Sequence, residues 1–488
     1  MEYQTIIGLE IHVELKTKTK MFCACLNDPD EKRPNFNICP ICLGHPGTLP
    51  VINREAVKKV IKTGQVLNCQ LPQFSKFDRK NYFYPDLPKG YQISQYDEPF
   101  CINGYLDIDN RKIRIRRIHL EEDTGRLIHE KEGSLIDFNR AGIPLMELVT
   151  EPDIHSGKEA RVFAQELQLI LRYLAISDAD MEKGQMRVEV NISLMPKGQA
   201  LSESNFGTKV EIKNLNSFKS VERAVDYEIK RQTETLESEK KIIQETRGWN
   251  DVRGETFSQR EKEEAHDYRY FPEPDLPVLC LGVSEILKEI KKEIPELPSQ
   301  KRKRLKKEYQ LDEKSLELFV QNKDLGEYFE KVVSEFESGL LKEKLSKLIK
   351  LSANYLITDL QGLLQGKNID GQDFLITPEN FSEFITLIEE GKISSKIAKM
   401  VLKEMFKTGA DPSNIIEKKE LSLITSQTEI ENIIKEVISK NQKAVEDFKK
   451  GKESAITFLI GQVMSISKGK ASPEIVSKTI REILTKNK

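Results

Sequence analysis

The chain is 488 residues long, more than a single hydrophobic core sustains, so several domains are expected. Charged residues at 32% and hydrophobic ones at 38% describe a soluble globular protein and exclude a disordered or fibrous one. No apolar run approaches the ~18 residues of a membrane span, and the acidic start MEYQTIIGLE is no secretion signal, so a cytoplasmic address is expected.

From Ile7 to Leu15, Ile7, Leu9, Ile11, Val13 and Leu15 alternate with Gly8, Glu10, His12 and Glu14. Residues two apart on a strand share a face, so one face is apolar and the other presents Glu10, His12 and Glu14. Next comes Cys23-x-Cys25, then thirteen residues, then Cys39-x2-Cys42. Two close cysteine pairs joined by a loop with Pro29 and Pro34 can converge on one tetrahedral ion, a structural zinc with a closed coordination sphere. In a cytoplasmic chain this reading is preferred to two disulfides.

Residues 113–123 alternate less cleanly, because Arg116-Arg117 breaks the pattern and predicts a bulge. Beyond it Ile118, Leu120 and Glu122 share one face, and His119, Glu121 and Asp123 the other. Gln185–Leu194 alternates again, with Arg187, Glu189 and Asn191 on the polar side, and Val210–Lys213 is a shorter copy. Such strands predict an α+β domain whose antiparallel sheet is covered by helices on its apolar side. Each polar face alone is ordinary. Together, Glu-x-His-x-Glu, Glu-Glu-Asp and Arg-x-Glu-x-Asn are unusually acid-rich and suit a floor for a metal-bound nucleotide.

Texture divides the chain into 1–295, 296–405 and 406–488. The second region opens at Pro295-Glu-Leu-Pro298 and is helical; Gly409-Ala-Asp-Pro412 marks the next break. The last region is helical too, and Ala455–Met464 reads as a buried helix of a small bundle. Residues 301–488 carry 33 Lys/Arg against 29 Asp/Glu, whereas residues 1–300 carry an acidic excess. The run Lys301, Arg302, Lys303, Arg304, Lys306 and Lys307 reads either as a polyanion contact or as a solvated helix face. No phosphate-binding Gly-x4-Gly-Lys-Ser/Thr loop occurs; Gly362–Lys367 is one residue too short between its glycines. Ser394-Ser395-Lys396 imitates a hydrolase pair but lies in a Lys-rich helical stretch. ATP chemistry here would therefore rest on a carboxylate-bound Mg²⁺.

Long motifs then match one family: Ile7-Gly-Leu-Glu-Ile-His-Val-Glu-Leu15, Lys76-Phe-Asp-Arg-Lys-Asn-Tyr-Phe-Tyr-Pro-Asp86, Tyr91-Gln-Ile-Ser94 and His119-Leu-Glu-Glu-Asp-Thr-Gly125. Asn139-Arg-Ala-Gly-Ile-Pro-Leu-Met-Glu147, Glu151-Pro-Asp153, Glu211-Ile-Lys-Asn-Leu-Asn-Ser217 and Asp267-Tyr-Arg-Tyr-Phe-Pro-Glu-Pro-Asp275 continue the match. The chain resembles the B subunit of the Asp/Glu-tRNA(Asn/Gln) amidotransferases. The resemblance implies a cradle domain with an ATP–Mg²⁺ site, followed by an all-helical tail with a YqeY-like C-terminal domain that grips tRNA. It implies phosphorylation of the side-chain carboxylate of Glu-tRNA(Gln) or Asp-tRNA(Asn), then amide formation with ammonia. That ammonia comes from glutamine hydrolysed in the family's A subunit, the glutaminase partner, and the small C subunit clamps the pair. Glu10, His12, Glu122 and Glu147 match the family's metal and phosphate positions, although strand parity sets Glu121 and Asp123 opposite Glu122. Arg187, Glu189 and Asn191 are candidates for holding nucleotide or substrate, and Lys80 and Tyr82 for the mouth of the ammonia tunnel. The zinc cysteines match a knuckle found in part of the family, which implies a stabilising or tRNA-contacting role. A tRNA-binding scaffold without chemistry of its own is the alternative.

Overall fold

A strand that alternates apolar and polar side chains buries one face only, and β1 (Tyr3–Glu14) does so. Ile7, Leu9, Ile11 and Val13 are 1% exposed or less. The computed structural model describes residues 2–486 except 200–201, 262–267, 282–284, 337–338, 366–368, 370, 372–373, 422–426, 450–451, 468–469 and 472. The motif residue Asp267 and the end of the Gly362–Lys367 stretch lie outside the described residues. Two compact units follow one another, Met1–Leu297 and Pro298–Lys488.

In the first unit β1 is followed by α1 (Arg54–Val66), β2 (Phe74–Ser75), β3 (Asp78–Asn81), β4 (Tyr91–Ser94), β5 (Cys101–Ile108) and β6 (Arg111–Glu122). Then come β7 (Arg126–Glu130), β8 (Gly133–Asp137), β9 (Pro144–Thr150), α2 (Gly157–Tyr173), β10 (Met186–Pro196) and β11 (Val210–Leu215). The last large elements are α3 (Phe218–Glu237), β12 (Glu245–Asn250), β13 (Glu255–Glu261) and β14 (Phe271–Pro272). Among the described residues, eight strands form one sheet in the order β13-β12-β11-β10-β1-β9-β6-β5. Its pairings are antiparallel apart from β11 with β12. The fold is α+β.

Helices cover the apolar side, as the alternation requires. Asn53, Ser156 and Ser217 cap the N-termini of α1, α2 and α3 with side-chain oxygens, which fixes where each helix begins. Val60 and Ile61 of α1, Phe163 and Leu167 of α2, and Val221 and Val225 of α3 share one core with the strand residues. The other side is left polar. At Arg116 the pairing of β6 with β9 slips by one residue, so the buried positions change from Ile113 and Ile115 to Ile118 and Leu120. That bulge keeps β6 facing the core along its whole length. A smaller sheet, β14-β3-β4, carries Lys80.

The second unit is helical. Ser394 accepts a hydrogen bond from the Ile397 N–H and caps the helix Ser395–Thr408, so the serine–lysine imitation is a helix start. Gly409, at φ +68°, ends that helix and Asp411 caps the next, Pro412–Lys418. The basic run lies on the helix Pro298–Tyr309, where much of its charge is satisfied within the unit. Lys301 is buried 3.6 Å from Glu330, Arg302 meets Glu317 at 2.8 Å, and Arg304 pairs with Glu330. Packing and ion pairs thus engage three of the six, while Lys303, Lys306 and Lys307 are exposed. Further on, Leu459 and Val463 from the apolar 455–464 stretch join Ile434, Val476 and Ile480 in a core of their own. No helix among the described residues is long and apolar enough to cross a membrane.

Candidate active site

The central strands put their polar side chains on one face because their pairing aligns the alternations. Opposite His12 of β1 stand Arg187 of β10 and Glu147 of β9, and Glu147 in turn faces His119 of β6. Glu10 faces Glu189, and Asn191 faces Glu211 of β11. Two donor groups result. His12, Glu121 and Glu147 offer ligand atoms within 4.8 Å of one another, and so do Glu10, Glu189 and Glu211.

In the first group Glu147 lies between two imidazoles, 3.3 Å from His12 Nε2 and 3.2 Å from His119 Nε2. Glu121 sits 3.9 Å from His12 and 3.8 Å from His119. Burial alone would lower the pKa of His12, but Glu147, then Glu189 and Glu121, outweigh it and raise the group to about 9. His119 is raised against burial by the same two acids of its own cluster, Glu147 and Glu121. Burial works against ionising Glu147, yet His119 and His12 hold it well below the usual carboxylate range. His119 is 2% exposed, and its Nδ1 has no hydrogen-bond partner among the described residues. A buried imidazole nitrogen of this kind is unsatisfied until a ligand or water meets it.

The second group is all carboxylate. Lys213 Nζ is 2.9 Å from Glu189 and 4.0 Å from Glu211, Asn191 Nδ2 donates to Glu10 at 2.8 Å, and Thr246 Oγ1 donates to Glu211 at 2.7 Å. Three hard oxygen donors suit Mg²⁺, and the first group offers two more carboxylates beside His12, whose imidazole ligates a metal only after giving up the proton that its acidic neighbours hold on it.

Glu122 does not join either group. Its parity turns it to the opposite side of β6, where it pairs with Lys89 and accepts from the Ile93 N–H at 2.9 Å. The cavity there, lined by Cys42, His45, Lys89 and Glu122 among others, has a volume of about 100 Å³. Small-molecule sites usually occupy ~300 Å³ or more, so this cavity is small for one. On the floor side of β6 the acid beside His12 and Glu147 is Glu121.

At one end of the floor Asp123 binds Arg140 at 2.7 Å and Arg187 at 3.1 Å, and Arg140 also reaches Glu14 at 3.3 Å. Burial and the Asp123 charge push Glu14 up to about 7. Asp123 itself is opposed by burial, but Arg187 and Arg140 prevail and hold it at about 2. A depressed carboxylate stabilises the fold above its unfolded pKa, and that contribution disappears as pH falls through its folded value. Asp123 is therefore expected to contribute on the order of 2 kcal/mol at neutral pH. The stability gap between the parent and Asp123→Asn, read by urea unfolding, should close as pH drops from about 4 toward 2; a pH-independent gap would contradict the assignment.

Lys80 stands beside a set of tyrosines. Its Nζ is 4.9 Å from the Tyr268 ring centre and 6.0 Å from that of Tyr82. Tyr268 meets Tyr82 and Tyr270 edge to face, and Tyr270 stacks on Tyr96 at 4.3 Å. Burial disfavours the Lys80 charge, but Glu121, Tyr270 and Glu147 keep its pKa raised, which ties it electrostatically to the first donor group.

The four cysteines are all free thiols, with Sγ atoms within 4.8 Å of one another. Cys39 and Cys42 Sγ are 3.9 Å apart, and the Cys39 N–H donates to Cys42 Sγ at 3.1 Å. A tetrahedron with Zn–S bonds of ~2.3 Å has an edge of about 3.8 Å. The sulfur spacing of this pair fits zinc and is far too long for a disulfide, whose S–S bond is ~2.05 Å.

Residues 5–286 match the family model described as the GatB/GatE catalytic domain, and residues 327–484 match the GatB domain. The B subunit of the aspartyl/glutamyl-tRNA(Asn/Gln) amidotransferase of Caldicellulosiruptor bescii is 48% identical over all of both chains. That of Persephonella marina is 48% identical over 99% of this chain and all of its own, and that of Thermotoga petrophila 47% over 99% of each. The chain belongs to the GatB family. It is thus one of the subunits of an amidotransferase, and the two donor groups lie wholly inside the part that matches the catalytic domain.

Several residues of this GatB-family site escape sequence reasoning. Glu211 stands in a motif but carries no mark of its own until pairing sets it beside Glu10. Tyr96, Tyr268 and Tyr270 come from segments remote from Lys80 and share no spacing with it. His119 is legible, since it has the parity of Glu121 and heads a motif.

Proposed function

We propose that this chain activates the side-chain carboxylate of glutamate or aspartate carried by tRNA(Gln) or tRNA(Asn) and converts it to the amide. It does so in the cytoplasm, together with the glutaminase, or A, subunit that supplies ammonia and the small C subunit. The observation that carries the reading is the convergence of two donor groups on one polar sheet face.

Glu10, Glu189 and Glu211, with His12, Glu121 and Glu147, would hold Mg²⁺–ATP. Bound there, Mg²⁺ neutralises phosphate oxygens and the charge that grows on the transferred phosphoryl group. A carboxylate oxygen of the tRNA-borne residue takes the γ-phosphoryl and ADP leaves. Ammonia then displaces phosphate, which carries off the surplus proton. Arg187, next to Asp123, would orient an anionic oxygen, and Asn191, which donates to Glu10, would hold that carboxylate in position. Lys80 and Tyr82 are assigned to the point where ammonia arrives. The four cysteines hold a structural Zn²⁺. Residues 296–405 form a helical domain and 406–488 a YqeY-like domain, and these grip the tRNA body.

The test uses the reconstituted three-subunit enzyme. Glu10→Ala and His12→Ala, introduced singly, are expected to leave glutamine hydrolysis intact while ATP-dependent amide formation falls by about 10- to 100-fold. Undiminished amide formation would leave only a scaffold that positions tRNA.

A further inference from the structure

Lys20 is fully buried, at 0% exposure. An ammonium removed from water is costly unless a counter-charge and hydrogen bonds replace the solvent. Among the described residues no carboxylate pairs with it. Its Nζ instead reaches the Phe138 carbonyl at 3.3 Å and Cys42 Sγ at 3.9 Å. The environment is closed around it: Gly142 lies against the Lys20 stem, the Lys20 N–H donates to the Cys25 carbonyl at 2.9 Å, and the Met21 N–H to the Gly142 carbonyl at 2.7 Å.

The same loop is laced to the cysteine knuckle from the other side. Asn139 Oδ1 accepts from the N–H groups of Phe36 and Asn37 at 2.7 and 2.8 Å, and its Nδ2 donates to the Arg33 carbonyl at 2.7 Å. One residue later, Arg140 carries the ion pairs to Asp123 and Glu14 at the end of the floor. Knuckle and floor thus share a loop.

We propose that Lys20 is the built-in counter-cation of the four-cysteine centre, offsetting thiolate charge and fastening the centre through Phe138 to the loop that bears Arg140. Four thiolates around a divalent ion leave two negative charges, and a buried ammonium against one sulfur removes half of that excess. The aliphatic stem packs, but the proposal assigns the role to the charged tip.

This inference rests on the reading of the cysteines as a zinc site, and the experiment separates the two. Zinc content of the full-length parent chain is measured first; a parent without zinc would end the zinc reading itself. Loss of zinc from the loaded parent, Lys20→Met and Lys20→Gln to a chelator in excess is then followed in time. Met keeps the packing of the stem and removes the charge, so packing alone predicts no change. Both variants are expected to release zinc about 10- to 100-fold faster, and release at the parent's rate from a zinc-binding protein overturns the proposal. A second measurement uses Cys42→Ser, in which Lys20 stays buried but loses its sulfur counter-charge. There Lys20→Met is expected to raise the melting temperature, and a fall overturns the proposal as well.

Discussion

Glu147→Gln is expected to lower the rate of amide formation by roughly 1,000-fold, about 4 kcal/mol of transition-state stabilisation, with glutamine hydrolysis by the proposed glutaminase partner unchanged. Glu147 is the carboxylate that two imidazoles share, at 3.3 and 3.2 Å. A glutamine keeps the size but removes the charge that raises His12 and His119 and that would face a cation, so the whole first donor group loses its balance. Glu122→Gln provides the contrast. It lies on the other side of β6, buried against Lys89 and the Ile93 N–H, and its loss leaves a partly buried ammonium without its partner. That variant is expected to melt earlier while its amide formation changes only about twofold once folded. Equal kinetic damage from the two, at unchanged stability, would move the reacting surface to the knuckle side of the sheet and sink the present assignment.

That contrast shows where a sequence can be read and where it stops. Period-two alternation in Ile7–Leu15 and Gln185–Leu194 gives the polar face directly, and the break at Arg116-Arg117 gives the bulge, because both depend on backbone geometry that neighbours impose on each other. The motif points to Glu122, whereas parity points to Glu121 for the face of His12; in the fold, parity decides. Pairing is harder to read. Glu10 meets Glu189 and Glu211 because β1, β10 and β11 lie side by side in one register, and nothing local in those segments specifies that register. The tyrosines around Lys80 and the burial of Lys20 are likewise consequences of packing between distant segments. Charge runs are hard to read for the same reason: Lys301, Arg302 and Arg304 look like a free basic face until Glu317 and Glu330 come back from the two helices that follow.

The tRNA-gripping role proposed for the tail has a second candidate surface beside that run, on its last helices. A cleft of about 620 Å³ there is lined by Lys440, Lys443 and Lys452 with Asp447 and half-exposed Phe458; Lys440 pairs with Glu436 at 2.6 Å and Lys452 with Asp447 at 3.1 Å, which leaves Lys443 as the exposed cation of the three with no ion pair among the described residues. Cations flanking an exposed ring suit a nucleic-acid backbone with a base stacked beside it. Ending the chain at Glu420 removes this cleft with the whole core built on Ile430, Ile434, Leu459, Val463, Val476 and Ile480. It spares the helix Pro412–Lys418, which packs on Pro378–Glu389 and would be stripped away by a cut at 410. The truncated chain, assembled with its partners, is expected to show a KM for charged tRNA raised by roughly 100-fold, the loss of about 2.7 kcal/mol of binding. The KM for glutamine should stay where it was. The dependence of tRNA use on salt should also flatten, since fewer phosphate contacts release fewer counterions. A parallel rise in both Michaelis constants would mean that the truncation had damaged the enzyme as a whole, and the tail would lose its assigned role.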